Sequence, residues 1–240
     1  MSLSEHRDEG SGNKEPQELR GAFQRELEEL KLQVEMMALR VDRSLRLATE
    51  VLLTGDPDLA DAVVVADDEI DQMLVSLTER CYDLLCRQNP VASDLRLVVS
   101  VLRILTDLER TGDLCLRIVK LAPDHPHLAA NEDTFSILRR MATEAVEMFR
   151  LAHRAWSTLD LELARGLDAR DEVMDDYNIR LTEAIVRFEG EGAVPQAVKT
   201  LLAGRALERI ADHCVMVGER LSYMVTGDLR SIQREIGPRE

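Results

Sequence analysis

The sequence predicts an all-α fold, arranged as two pseudo-symmetric three-helix bundles. Three observations carry this. Apolar residues recur at spacings of three and four along nearly the whole chain. Helix breakers fall at wide intervals: Gly55-Asp56-Pro57, Gln88-Asn89-Pro90, the stretch from Pro123 to Pro126, and Gly190 to Gly192. The second half of the chain also repeats the first, as a duplicated unit would.

The elements follow in order. Residues 1–18 read as a tail, because they are polar, contain Gly10, Gly12 and Pro16, and show no apolar period. The first helix, 19–54, carries the seam Leu27, Leu30, Val34, Met37, Val41, Leu45 and Ala48. The second, 58–88, lies between two proline-containing breaks and places Ile70 on its seam; the third, 91–121, runs to the Pro123 break. Helices over 131–157 and 160–189 follow, with Met174 on the seam of the latter. The last helix, 194–226, presents Leu207, Ile210, Cys214, Val217, Leu221 and Met224. Pro195 sits in its first turn, where proline is tolerated, and Gly227 is its stop. Short connections make sequential neighbours antiparallel. The domains are then 19–122 and 131–227, with a C-terminal tail over 228–240.

The repeat is visible residue by residue. At an offset of 104, Met37-Ala38 meets Met141-Ala142, and Leu45-Arg46-Leu47-Ala48 meets Phe149-Arg150-Leu151-Ala152. At the same offset Asp58-Leu59-Ala60 meets Glu162-Leu163-Ala164, and Asp67 to Asp71 meets Asp171 to Asp175. At an offset of 99, Leu108-Glu109-Arg110 and Asp113 meet Leu207-Glu208-Arg209 and Asp212.

Charge narrows the function classes. Thirty basic against 45 acidic residues give 30 − 45 = −15. That balance argues against nucleic acid and against anionic lipid, since phosphate contacts need Lys and Arg. Eight aromatics are few for base stacking. No apolar run reaches the roughly 18 residues of a membrane span, so no membrane insertion is expected. The opening MSLSEHRDEG has no apolar core of a secretory signal. Cys81, Cys86, Cys115 and Cys214 form no CxxC and lie in apolar helical stretches, which predicts buried free thiols and a reducing cytoplasm.

Four acidic pairs at i, i+4 stand out: Asp67/Asp71, Glu109/Asp113, Asp171/Asp175 and Glu208/Asp212. That spacing puts two like charges on one helix face, at a cost of about 0.2–0.5 kcal/mol per pair. Their number is not informative, because the chain has eight such pairs and 45 acids in 240 residues give about eight by chance. Their placement is, because these four are repeat-equivalent. A hard or transition-metal cation would turn the repulsion into attraction; an ordinary solvated acidic face is the other reading. Asp67 and Asp171 lie about 60° from the seam residues Ile70 and Met174, and Asp71 and Asp175 about 100°. Glu208 and Asp212 lie about 200° from Ile210, which predicts a face open to solvent or a partner.

Other chemistry finds no support. Ferritin-like oxidases use inward Glu-x-x-His, and none of His6, His125, His127, His153 and His213 has Glu three residues before it. His125 and His127 read as loop residues. His213, next to Asp212, is either a support for a cation ligand or a satisfied histidine. Gly204 and Gly218 stand singly inside a helix, so there is no glycine-rich phosphate loop. The methionines read as core.

At the motif level the chain resembles the PhoU family of phosphate-signalling regulators. Gln88-Asn89-Pro90-Val91-Ala92-Ser93-Asp94-Leu95-Arg96 is similar to its Q-x-P-V-A-x-D-L-R signature. Leu108-Glu109-Arg110-Thr111-Gly112-Asp113 and Leu207-Glu208-Arg209-Ile210-Ala211-Asp212-His213 are similar to its two E-R-x-x-D motifs. Leu19-Arg20, Phe23 and Glu26-Leu27 resemble its opening pattern, so the resemblance spans about 19–226. It implies a pair of three-helix bundles and multinuclear iron or similar divalent or trivalent metal at Asp67, Asp71, Glu109, Asp113, Asp171, Asp175, Glu208 and Asp212. It further implies partner docking through Arg110, Arg209, Asp94 and Arg96. The implied role is a non-enzymatic adaptor that represses the phosphate-starvation response and limits uptake. It would link the ATPase subunit of the phosphate ABC transporter to a sensor histidine kinase. The implied form is a homodimer, cytoplasmic and peripheral to the inner face of the plasma membrane. A metal-storage or redox helical-bundle protein is the alternative.

The chain departs from the family downstream of both motifs. Where Asn and then Ile-Ala-Glu are common, it has Arg117 with Ile118-Val119-Lys120, and Met216 with Val217-Gly218-Glu219. The cation at Arg117 is placed to neutralise Glu109 and Asp113, which predicts tighter cation binding in the second bundle.

Overall fold

A computed structural model describes residues 14–88 and 90–228. The described residues form helices and connections without a strand. The helices are α1 (Lys14–Thr54), α2 (Asp58–Gln88), α3 (Ala92–Val119), α4 (His125–Ala129), α5 (Glu132–Thr158), α6 (Leu161–Ile185) and α7 (Ala193–Thr226). No helix among them is long and apolar enough to cross a membrane.

The predicted seams are the core. Leu27, Leu30, Val34, Met37, Val41, Leu45 and Ala48 of α1 are buried, as are Leu207, Ile210, Cys214, Val217, Leu221 and Met224 of α7. Each bundle closes around its own seam, α1–α2–α3 and α5–α6–α7. The bundles then share an interface, in which α3 packs along α7 and α1 touches α5. α2, α3, α7 and α6 therefore follow one another as neighbours, with α3 and α7 in the middle.

Local chemistry sets the ends. Asn131 accepts from the Thr134 N–H at 3.0 Å, and Asp160 accepts from the N–H groups of Glu162 and Leu163; such caps are worth about 1 kcal/mol each. α7 stops where Gly227 takes a left-handed φ of 74°. Close approach explains the two glycines inside α7. A Cβ at Gly204 would lie 2.3 Å from Leu181 Cδ2, and one at Gly218 would lie 3.1 Å from the Ala164 carbonyl oxygen, so α6 and α7 need both.

Several boundaries differ from expectation. α1 begins at Lys14, so 14–18, expected in the tail, are helical; Pro16 falls in the first turn, where its missing N–H costs nothing. Residues 1–13 and 229–240 of the two expected tails, and Asn89, lie outside the described residues. The stretch expected as a loop around Pro123 and Pro126 folds as a 3₁₀ turn, Ala122–Asp124, followed by α4. Both prolines occupy first-turn positions, and Leu128 buries fully. His125 thus heads a helix, its Nε2 3.1 Å from the Leu53 carbonyl oxygen. α6 ends four residues early, at Ile185 rather than 189. Cys81, Cys115 and Cys214 are buried, but Cys86 is exposed, because it sits about 200° from the Leu84 seam position.

Candidate functional site

In the first bundle, Asp67 and Asp71 of α2 face Glu109 and Asp113 of α3. Asp67 is half-buried, and its pKa is pushed from 3.8 up to about 6. Burial is the main cause, followed by repulsion from Asp71, Asp113 and Asp68; Lys120 offsets this in part. Glu109 is likewise raised, by burial and then by Asp113 and Asp71, with Arg110 acting against them. The four carboxylates therefore sense one another across two helices. Gly112 makes room for this: a Cβ there would lie 3.2 Å from Asp67 Oδ1.

In the second bundle, Asp171 and Asp175 of α6 stand by Glu208 and Asp212 of α7. The expected outward face for Glu208 is a correction. Its side chain is only 13% exposed, because α7 packs against α3, α5 and α6. Arg205 Nη1 donates to Glu208 Oε1 at 2.6 Å, while Glu208 Oε2 is buried with no hydrogen-bond partner. Burial, then Asp212, raises the Glu208 pKa; Arg205 opposes them, and Asp175 adds to the rise.

These residues fit a hard cation in their chemistry. All eight donors are carboxylates, three of them have raised proton affinity, and one buried oxygen has no hydrogen-bond partner. Among the described residues, no group of three or more His, Cys, Asp or Glu is gathered closely enough to hold a metal ion. Mutual repulsion between carboxylates favours such spacing.

The cations expected at the clusters are partly elsewhere. Lys120 acts on Asp67 and Arg110 on Glu109; Arg117 is exposed. Arg110 and Arg209 are exposed beside their motifs, as docking would require. Asp94 is half-buried in the first turn of α3. Arg96 is engaged inside the molecule: its Nε donates to the Met224 carbonyl oxygen at 3.3 Å, tying the start of α3 to the end of α7.

One polar cluster was not anticipated from the sequence. Asp107 of α3 is buried, with Oδ1 3.2 Å from His213 Nδ1 and Oδ2 3.0 Å from Arg220 Nε. His213 thus finds its partner across the bundle interface, not in the acidic cluster beside it. Asp107 and His213 border a cavity of about 20 Å³ shared with Thr111, His153 and Trp156, enough for one water. A signal was present in the repeat. At an offset of 99, the positions of His213 and Arg220 correspond to Leu114 and Leu121, and that of Asp107 corresponds to Ala206. All three equivalents are buried and apolar.

Comparison with known proteins bears on this arrangement. The PhoU domain model matches residues 34–122 and 138–221. The phosphate-specific transport system accessory protein PhoU homolog 1 of Mycobacterium tuberculosis is 32% identical over 212 residues, covering 88% of this chain and 96% of that one. The PhoU homolog of Pseudomonas aeruginosa is 30% identical over 213 residues, covering 88% of each. The crystal structure of PhoU from Pseudomonas aeruginosa superposes with a TM-score of 0.78 at 29% identity, over 86% of this chain and 100% of that one. PhoU from Streptococcus pneumoniae gives a TM-score of 0.78 at 28% identity, over 86% and 98%.

Proposed function

The chain belongs to the PhoU domain family, and from that premise we propose that it is an accessory and regulatory protein of phosphate transport. The observation that carries this is the similarity, over 88% of the chain, to proteins named as phosphate-specific transport system accessory proteins. In the finer reading it couples the ATPase subunit of the phosphate ABC transporter to a sensor histidine kinase. It holds the starvation response off when phosphate is ample and limits uptake. It acts as a non-enzymatic cytoplasmic homodimer, peripheral to the membrane through its partners. The names of the relatives do not favour a storage or redox role.

The acidic clusters are the working surface in this reading. Glu109, Asp113, Asp67 and Asp71 coordinate a cation such as iron in the first bundle, and Glu208, Asp212, Asp171 and Asp175 do so in the second. Arg110 and Arg209 present a fixed positive charge to the partner beside each site. We read the asymmetry in the opposite direction to that expected from Arg117. Glu208 already holds Arg205, whereas Asp67 keeps its proton up to about pH 6 and has only Lys120 acting against its neighbours. The first cluster is therefore the tighter site.

The test is Glu109→Gln with Asp113→Asn. These half-buried and exposed positions should leave stability within about 0.5 kcal/mol, or raise it as repulsion is relieved. The folded variant should lose binding to the transporter ATPase or kinase and switch starvation genes on in rich phosphate. A folded variant that represses normally would remove these motifs from the working surface.

A further inference from the structure

The two bundles expose the same apolar stripe. In the first it runs through Val75, Tyr82 and Leu95; at offsets of 104 and 99 stand Ile179, Val186 and Val194. All six are between 41% and 79% exposed, so neither core requires them. Val99 and Leu102 continue the stripe on α3, as Val198 and Leu201 do on α7. Other exposed apolar residues have no such counterpart: Leu39, Val64 and Leu202 correspond to Thr143, Asp168 and Arg103. An outward apolar position held in both copies of a duplicated unit points to a use that both copies share.

Position says what shape covers it. The antiparallel pairing that sets Asp71 by Glu109 carries Tyr82 to the level of Val99, and the pairing of Asp175 with Glu208 carries Val186 to the level of Val198. Each stripe therefore runs along the groove between two antiparallel helices, away from its acidic cluster, for about 10 Å or two turns. Such a groove seats a third helix. α1 and α5 touch one another and cover the opposite side of the row, so both grooves open on one face. Helix spacings of roughly 8–10 Å put the grooves about 20 Å apart.

Charge separates the occupants. The outer helices of the row hold the acid: α2 has eight acidic residues against Arg80 and Arg87, and α6 has seven against Arg165, Arg170 and Arg180. Glu79 and Glu183, one turn from Val75 and Ile179, are repeat-equivalent and exposed. Arg110 and Arg209 are exposed on the two central helices. A second copy laid face to face, helix along helix, would set acidic outer helices on acidic ones, and an anionic membrane would be repelled in the same way. A helix with Lys or Arg on its outer flank and a carboxylate toward the midline fits both grooves.

We propose that the α2–α3 and α6–α7 grooves each dock an amphipathic helix that is basic on its outer flank, and that one partner presents this helix twice, as a two-fold symmetric protein does. The apolar stripe supplies affinity, Glu79 and Glu183 with their acidic neighbours orient the helix, and the second contact multiplies the first. The proposal rests on the partner-docking reading above and assigns its surface.

Calorimetric titration of the full chain tests it, with a synthetic helix of about five turns as probe, leucine along one side and lysine along one flank. Two probes should bind per chain. Two copies joined by a linker that spans about 20 Å should bind about a hundredfold tighter or more. Tyr82→Ser with Leu95→Ser should remove one site, Val186→Ser with Val194→Ser the other, and all four together both, with an unchanged circular dichroism spectrum. Glutamate in place of the probe's lysines should weaken binding about tenfold or more. A probe that fails to bind, binds equally well when scrambled, or ignores the substitutions overturns the grooves. Two sites without a gain from joining the probes overturn the two-fold partner. Self-association, or binding to phosphatidylcholine vesicles, that the four substitutions abolish gives the face to a second copy or to lipid and overturns the helix. The titration reads no phosphate response, so its failure is distinct from a failure of the regulatory reading.

Discussion

In the first bundle Asp67 lies against Gly112, and its carboxyl keeps a proton up to about pH 6. In the second, Ala211 stands where Gly112 does, and Arg205 donates to Glu208, where the first bundle has only Thr106. Lys120 of the first copy becomes Glu219 in the second. The duplication has kept the carboxylates in place and varied what neutralises them. The motif positions decide that a cluster exists. Residues one turn away decide its charge.

The bundle interface shows the same divergence, and breaking it should have the largest effect. Asp107→Ala removes the carboxylate that faces both His213 and Arg220. Losing one partner of a buried charged pair costs about 3–5 kcal/mol, to be read from denaturant unfolding. Ala206 is the equivalent residue in the other copy, and its small side chain already belongs to an apolar setting. A loss under about 1 kcal/mol would mean that the triad does not hold the bundles together.

Asp67→Asn should act in the opposite direction. Its pKa rises on folding from 3.8 to about 6, so the folded state binds more protons between those values. The favourable contribution is present below the unfolded value and is lost as pH rises through about 6. At pH 7 the substitution should stabilise the cation-free protein by about 1 kcal/mol after allowance for solvent screening. It should also flatten the melting curve against pH between 4 and 6, about the interval bounded by those two values. A melting temperature that falls at pH 7 would show that Asp67 is not under repulsive strain.

Gly112→Ala gives the first cluster the side chain of the second. Helix propensity favours it by up to about 1 kcal/mol, and displacement of Asp67 takes back part of that gain. The more telling result is weaker cation binding in the first bundle. Arg205→Thr makes the converse change and should move stability by less than about 0.5 kcal/mol, since Arg205 is half exposed. It should raise cation affinity in the second bundle. No change there would mean that the Arg205–Glu208 pair does not compete with a cation.

Much of this was legible in the sequence, and the exceptions have physical reasons. The apolar seams of α1 and α7 fixed helix type and bundle membership, because a period of three and four is a property of one chain segment. The repeat located all four acidic pairs. A single seam through Ile210 assumes one buried side and so puts Glu208 on the open face, whereas α7 packs against α3, α5 and α6. α4 was missed because Pro123 and Pro126 read as breakers, although proline is tolerated in a first turn. Asp107 is not legible in the sequence, because the groups that face it, His213 and Arg220, lie 106 and 113 residues away.

The most direct test of the two-cluster account is calorimetric titration of the metal-free full chain with Fe³⁺ or Mn²⁺. The wild type should show two classes of site. Asp113→Asn should abolish the tighter class and leave the weaker, and Asp212→Asn should do the reverse. Loss of the tighter class in Asp212→Asn, or equal loss in both variants, would contradict the claim that the first bundle holds the stronger site.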